Sequence, residues 1–235
     1  MREKKKNGKV FWDKEYSNAE HLALSMRHSE DLEKFTRWLT RESGKSVLNV
    51  TNSVLDLGSG NGRNLVWLSE TFGMRGVGYD LSSTAVRNAE IYAQTHHLPL
   101  IYEARSIAGT FSISDASQTL VLDMMTSHVL NETERTFFFN EVLRVLKPGG
   151  YFFYKTFLLD EDIHAKRLLR EYGTDEKNTY IHPKIGTAEH VISENDIETL
   201  FMPHFIVHKI YKSHRHKGKD AKRRSIVVYA QKPLF

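Results

Sequence analysis

Apolar residues along this chain follow two spacings, and the changes from one to the other outline the fold. Short apolar runs that end near an acid or glycine occupy residues 53–57, 75–80, 100–106, 119–123 and 151–157, the pattern of strands buried on both faces. Between them, apolar positions recur three and four apart over residues 62–72, 83–95 and 131–146, which predicts helices, the last capped by Asn131. An earlier helix is expected from Ser29, its N-cap, with Leu32, Phe35, Trp38 and Leu39 on one face and Gly44 as its stop. Strand alternating with helix predicts an α/β fold, a parallel sheet with helices on both faces. Residues 10–28 read as an aromatic and polar lead-in, 160–172 as a helix, 173–190 as a polar loop or cover, and 193–201 as a helix. Two apolar runs, 204–213 and 225–231, then flank a basic segment around Gly218.

The first strand leads into Val54-Leu55-Asp56-Leu57-Gly58-Ser59-Gly60-Asn61-Gly62-Arg63-Asn64. Three alternate glycines opening a helix let backbone approach a ligand, at the strand end where open α/β sheets bind. Asp56, two residues before the first glycine, is a poor neighbour for pyrophosphate and suits a ligand carrying an ammonium group. The second strand, Arg75-Gly76-Val77-Gly78-Tyr79-Asp80, ends in an acid placed to accept hydrogen bonds from a ribose diol. A ribose, a positive charge and no phosphate describe S-adenosylmethionine.

With these residues the chain resembles the class I S-adenosylmethionine-dependent methyltransferases. VLDLGSGNGRN is similar to that family's glycine motif and GVGYDLSSTAV to its ribose motif; Leu143 to Phe153, LRVLKPGGYFF, is similar to its helix, turn and fifth strand. The resemblance covers roughly residues 50–157 and extends plausibly to the end. It implies a Rossmann-like, seven-stranded, mostly parallel sheet closed by a C-terminal antiparallel hairpin, with S-adenosylmethionine as cofactor and S-adenosylhomocysteine as product. Carried onto this chain, it puts Asp56, Gly58, Ser59, Gly60, Asn61, Gly62 and Asn64 around the methionine end and Asp80 and Leu81 at the ribose. Trp12 and Tyr16 resemble lead-in aromatics that fold over the cofactor; core packing is the alternative reading. One segment departs from the family: Arg105-Ser106-Ile107-Ala108-Gly109 lacks the acid expected near the adenine amino group. Adenine recognition is left to backbone, Ser106 or Ile107.

Methyl transfer from a sulfonium needs alignment and sometimes a base. Asp123 ends the fourth strand where the resemblance implies the methyl group, so it contacts cofactor, serves as base or anchor, or holds a loop. His128, five residues on, matches a histidine many family members carry there and is a second catalytic candidate or a pocket wall. Met124 and Met125 read as pocket lining. Tyr154, Lys155 and Thr156 end the fifth strand; they face substrate, or Tyr154 packs and Lys155 is solvated. Of the twelve histidines, His164, His182 and His190 fall in the cover, yet none has tight metal-ligand spacing, and no metal is expected.

Composition narrows the context. The chain's 235 residues, 40% of them apolar, suit one domain: a lead-in over 1–45, a cofactor core over 50–157, a substrate cover over 158–203 and a hairpin over 204–235. Absence of cysteine fits a reducing compartment. The charged start and the lack of a run near ~20 apolar residues predict a soluble, cytoplasmic protein without a membrane partner. The net charge of +4 hides a division. Residues Arg2 to Lys9 carry +4 and Lys209 to Arg224 carry +7, which leaves a body with 20 basic and 27 acidic residues. An acidic body favours transfer to an oxygen or nitrogen of a small or medium-sized acceptor. Alternatives are RNA or protein methylation gripped through Lys209 to Arg224, which could also meet an acidic surface, and a non-catalytic S-adenosylmethionine-binding protein. A nicotinamide-dependent oxidoreductase would share the sheet, but Asp56 and the LKPGG turn oppose it.

Overall fold

Leu120 and Leu122 point to one face of a sheet and Val121 to the other, so β4 (Gln118–Met124) is buried up to Asp123. Phe152 and Phe153 divide in the same way on β5 (Leu146–Phe157), as do Val228 and Val227 on β9 (Ser225–Gln231). The computed structural model describes residues 8–20, 24–213 and 223–235. These central strands sit in a seven-stranded sheet completed by β1 (Ser53–Leu57), β2 (Arg75–Asp80), β3 (Leu100–Ala104) and β8 (Ile206–Ser213), in the order β3-β2-β1-β4-β5-β9-β8. Strands β1 to β5 are parallel, and β9 runs antiparallel between β5 and β8. The edge strands β3 and β8 mix polar with apolar residues, as edges exposed to water require.

Helices cover both faces. Leu32, Phe35 and Leu39 of α2 (Glu30–Ser43), Leu65 and Leu68 of α3 (Arg63–Phe72), and Val86 and Ala89 of α4 (Ser83–Thr95) pack on one. Phe138, Phe139 and Val142 of α5 (Glu132–Val145) and Phe201 of α7 (Glu194–Phe201) pack on the other. Helix α5 begins with a capping box: Asn131 Oδ1 accepts from Glu134 N at 3.0 Å, and Asn131 N donates to Glu134 Oε2 at 2.9 Å. Because α3 and α5 leave from opposite faces, the chain order reverses between β1 and β4 and opens a crevice at their carboxyl ends.

Several elements differ from the sequence reading. The lead-in contains a helix, α1 (Gly8–Ser17), held by tertiary contact: Asp13 Oδ1 accepts from Ser82 Oγ at 2.8 Å and Thr84 N at 3.1 Å at the start of α4. Strand β3 stops at Ala104, two residues early, and β5 starts at Leu146 because the Pro148-Gly149-Gly150 turn is absorbed into it. Gly149, at φ 75°, donates its N–H to Lys232 O at 3.0 Å. Helix α6 (Ile163–Tyr172) begins one residue after its cap, Asp162, which accepts from Ala165 N at 2.9 Å. The cover holds a small hairpin of β6 (Thr179–Ile181) and β7 (Ala188–His190). Three-residue strands with a buried Tyr180 and Glu189 carry no legible alternation. The C-terminal hairpin is present as β8 and β9. His214, His216, Lys217, Gly218 and the basic residues Arg2 to Lys6 lie outside the described residues.

Candidate functional site

A cavity of about 360 Å³ opens in the crevice. Gly58 (φ 82°) and Gly60 (φ 55°) turn the chain there in the left-handed region. The N–H groups of Gly58 and Ser59 donate to Tyr79 O at 2.7 and 2.9 Å, which ties the loop to β2. A Cβ at Gly58 would overlap the Thr126 side chain, and one at Gly60 would overlap the Tyr16 hydroxyl. The glycines thus admit neighbours from across the crevice as well as a ligand. Asp80 stands at the mouth: its Oδ2 accepts from Gly60 N at 2.9 Å and its Oδ1 from Ser82 N at 2.8 Å. Helix α1 roofs the cavity with Trp12 and Tyr16, and Asn61, Asn64, Leu81, Ser106 and Ile107 complete the expected wall.

Beneath the loop lies Asp56, 1% exposed, its Oδ2 without a partner among the described residues. Burial first, then the nearby Asp80, pushes its carboxyl up to about 7, against the pull of Arg63. Burial also raises Asp80, opposed by N–H donors from Ser82 and Gly60. The opposite wall is the turn after β4. Met125 takes φ 68°, strained for a side chain of its size, and its N–H donates to Lys155 O at 2.8 Å. Asp123 Oδ1 accepts from Thr126 N at 3.1 Å and Ser127 N at 3.2 Å, cinching that turn. Burial pushes Asp123 up to about 6 despite these donors.

Residues 54–150 match a family model described as a methyltransferase domain. This stretch is a class I S-adenosylmethionine-dependent methyltransferase domain. Its fold resembles the crystal structure of an S-adenosylmethionine-dependent methyltransferase from Methanosarcina mazei, with a TM-score of 0.67 and 23% identity over 80% of this chain and 96% of that one. In sequence it is similar to a fatty-acid O-methyltransferase of Mycolicibacterium smegmatis, 25% identical over 62% of this chain and 52% of that protein. It is also similar to the arsenite methyltransferase of Homo sapiens, 24% identical over 75% of this chain and 54% of that protein. The chain spans about half the length of these curated relatives.

The cofactor of such a domain is S-adenosylmethionine, and the residues of this crevice fit it. An orphaned buried carboxylate at Asp56, an acid at the end of β2 and a loop in which Cβ atoms would collide suit a cationic ligand with a diol. The structure brings Trp12, Tyr16, Gly58, Ser59, Gly60, Asn61, Asn64, Asp80, Leu81, Ser106, Ile107, Met124 and Met125 together around this cavity. Four expected residues lie elsewhere. Asp56 is below the loop; Gly62 caps α3, where a Cβ would overlap the Tyr102 hydroxyl; Asp123 is fully buried behind the turn; His128 is 8% exposed on its far side. The reason is the pleat and the turn: Asp123 shares a face with Val121, away from the loop. Burial lowers the His128 imidazole to about 4, so the ring is neutral at pH 7.

Arg63, Thr126, Val129, Leu130, Leu24 and Ser25 also line the cavity, and nothing in the linear pattern marks them. Arg105, named above for the missing acid, reaches the wall too, with its guanidinium 4.6 Å over the Tyr79 ring. Asn64 spends its amide on the fold: Oδ1 accepts from Ser29 N at 3.0 Å, and Nδ2 points to Met124 Sδ at 3.4 Å. At the end of β5, Tyr154 is packed at 3% exposure. Lys155 is not solvated, since it pairs with the buried Asp31 at 2.7 Å. In the basic C-terminal segment Lys212 pairs with Glu194 at 2.7 Å, Arg223 with Glu189 at 2.5 Å and Arg224 with Glu161 at 2.7 Å. Among the described residues no three His, Asp or Glu side chains gather as a metal site, and no helix is long and apolar enough to cross a membrane.

Proposed function

We propose that the protein transfers the methyl group of S-adenosylmethionine to an oxygen or nitrogen of a small or medium-sized acceptor. The observation that carries this reading is the roofed cavity, with Asp80 and the glycines on one side and the Met124–Thr126 turn on the other, covered by Trp12 and Tyr16. When bound, the cofactor supplies an electrophilic methyl on a sulfonium. In this reading the glycine loop and the charge of Asp56 hold the methionine end, and Asp80 accepts from the ribose hydroxyls. Leu81, Ile107, Val129 and Leu130 offer the apolar contact that adenine needs in place of the missing acid. Neither Asp123 nor His128 lines the cavity, so the chain's contribution is alignment and exclusion of water, and Asp123 acts as a positioning residue for the turn. A reaction without a base suits an acceptor atom that is already nucleophilic at neutral pH.

Incubation with tritiated S-adenosylmethionine and fractionated cell extract tests the proposal. Label is expected in the small-molecule and lipid fractions. Label confined to RNA or protein overturns the acceptor class. Tight binding of S-adenosylhomocysteine with no labelled product in any fraction overturns the enzymatic reading.

A further inference from the structure

Past the turn that carries Thr126 and Val129 lies a buried polar cluster that the cofactor cavity does not use. The Arg223 guanidinium carbon stands 3.5 Å from the centroid of the Phe157 ring, and His128 meets the same ring edge-on at 5.0 Å. Phe157 ends β5, so this cluster lies at the carboxyl end of the parallel strands, the end at which the crevice also opens. Arg223 Nη1 donates to Glu189 Oε2 at 2.5 Å, and the Tyr180 hydroxyl donates to the same oxygen at 2.5 Å. That contact occupies one edge of the guanidinium.

The other edge is unused. Nε and Nη2 are buried and, like His128 Nδ1, have no hydrogen-bond partner among the described residues. These two nitrogens present the parallel N–H pair with which arginine grips a carboxylate or phosphate in bidentate fashion. Buried donors left unpaired are costly, and in proteins they mark a ligand or a strained site. The nearby acids are already engaged. Asp162 accepts from Ala165 N and Arg224 N, and Glu161 pairs with Arg224 and Lys212. Burial foremost, with nearby cations including Arg223, lowers the His164 and His182 imidazoles, so neither favours added positive charge beside the guanidinium.

We propose that Arg223 is a specificity-determining residue for an acidic acceptor, whose carboxylate or phosphate seats on the Nε–Nη2 edge beside Phe157 and His128. This rests on the methyl-transfer reading and names its substrate class.

The test titrates the full chain, saturated with S-adenosylhomocysteine, with decanoate, decyl phosphate and decanol in a calorimeter. Decanoate or decyl phosphate is expected to bind at least tenfold more tightly than decanol, and which of the two does so identifies the oxyanion. Arg223→Gln should lower that acid affinity at least tenfold while leaving decanol and S-adenosylhomocysteine binding unchanged; Arg223→Lys should keep part of it as a point charge. Glu189→Gln releases the hairpin contact but leaves the fork, so acid binding should stay within about threefold. Equal losses in Arg223→Gln and Glu189→Gln would show that Arg223 only holds the hairpin and would overturn the proposal. No preference for either acid over decanol overturns it as well. If Arg223→Gln does not fold, the acid-to-alcohol ratio in the unaltered protein and in Glu189→Gln decides. Failure of the unaltered protein to bind S-adenosylhomocysteine would instead sink the methyl-transfer reading.

Discussion

Asp56 combines features that conflict in the absence of a ligand: it is buried, lacks a partner at Oδ2 among the described residues and lies near Asp80. A carboxyl raised to about 7 binds its proton more tightly in the folded chain than in the unfolded one. Its contribution therefore favours the folded state below about pH 4 to 7 and is lost as pH rises through that window. Asp56→Asn should stabilise the ligand-free protein relative to the unaltered chain by an amount that grows from pH 5 to pH 8 and reaches a few kcal/mol. Denaturant unfolding of both proteins at several pH values measures this, and a pH-independent difference would refute it. The same variant should bind S-adenosylmethionine at least tenfold more weakly at pH 8, where the lost charge matters most. Gly58→Val makes a sharper demand, since its side chain would collide with Thr126 and leave the left-handed region strained. Loss of the thermal shift given by S-adenosylhomocysteine, with the fold retained by circular dichroism, is the expected outcome.

At the scale of elements, two connections shape the cavity. The turn after β4 is held by Asp123 rather than by apolar packing. Asparagine keeps an acceptor oxygen for Thr126 N and Ser127 N, whereas alanine keeps none. Asp123→Asn should thus lose less than tenfold in kcat/KM with an unchanged pH profile, and Asp123→Ala should lose both turnover and cofactor affinity. A drop beyond a hundredfold in Asp123→Asn, with S-adenosylhomocysteine binding intact, would mark Asp123 as a base and contradict the positioning role. The second connection is α1 on α4. Asp13→Ala removes two hydrogen bonds at the start of α4, which costs about 1 kcal/mol by analogy with lost caps. It should also loosen the roof that Trp12 and Tyr16 provide, visible as faster release of S-adenosylhomocysteine in stopped-flow fluorescence.

Across the whole molecule, the division of charge between an acidic body and a basic C-terminal segment suggested a grip on nucleic acid. Packing changes its weight. Three of the eight cations between Lys209 and Arg224 are paired with Glu194 of α7, Glu189 of β7 or Glu161 just before α6, which leaves five for an RNA backbone. For single-stranded RNA the slope of log K against log salt should be no steeper than about −3.5, against about −5.6 if all eight engaged. A filter-binding series between 50 and 200 mM salt, or about that range, distinguishes the two.

Strand-end acids and glycines were legible in the chain because their chemistry is local. Asp56, Gly58, Gly60 and Asp80 follow from a buried strand, a forced turn and a strand end, each set within a few residues. Period and capping likewise announced most helices and the strands of the main sheet, since burial on two faces imposes its spacing on the sequence. What only the tertiary structure decided is where side chains point once strands from distant parts of the chain lie together. Asp123 turns behind the cavity, Thr126 fills the space left by Gly58, Asp31 neutralises Lys155, and Glu189 leaves one edge of Arg223 open. These pairings join residues far apart in sequence, and their partners depend on register and packing, which no local pattern records.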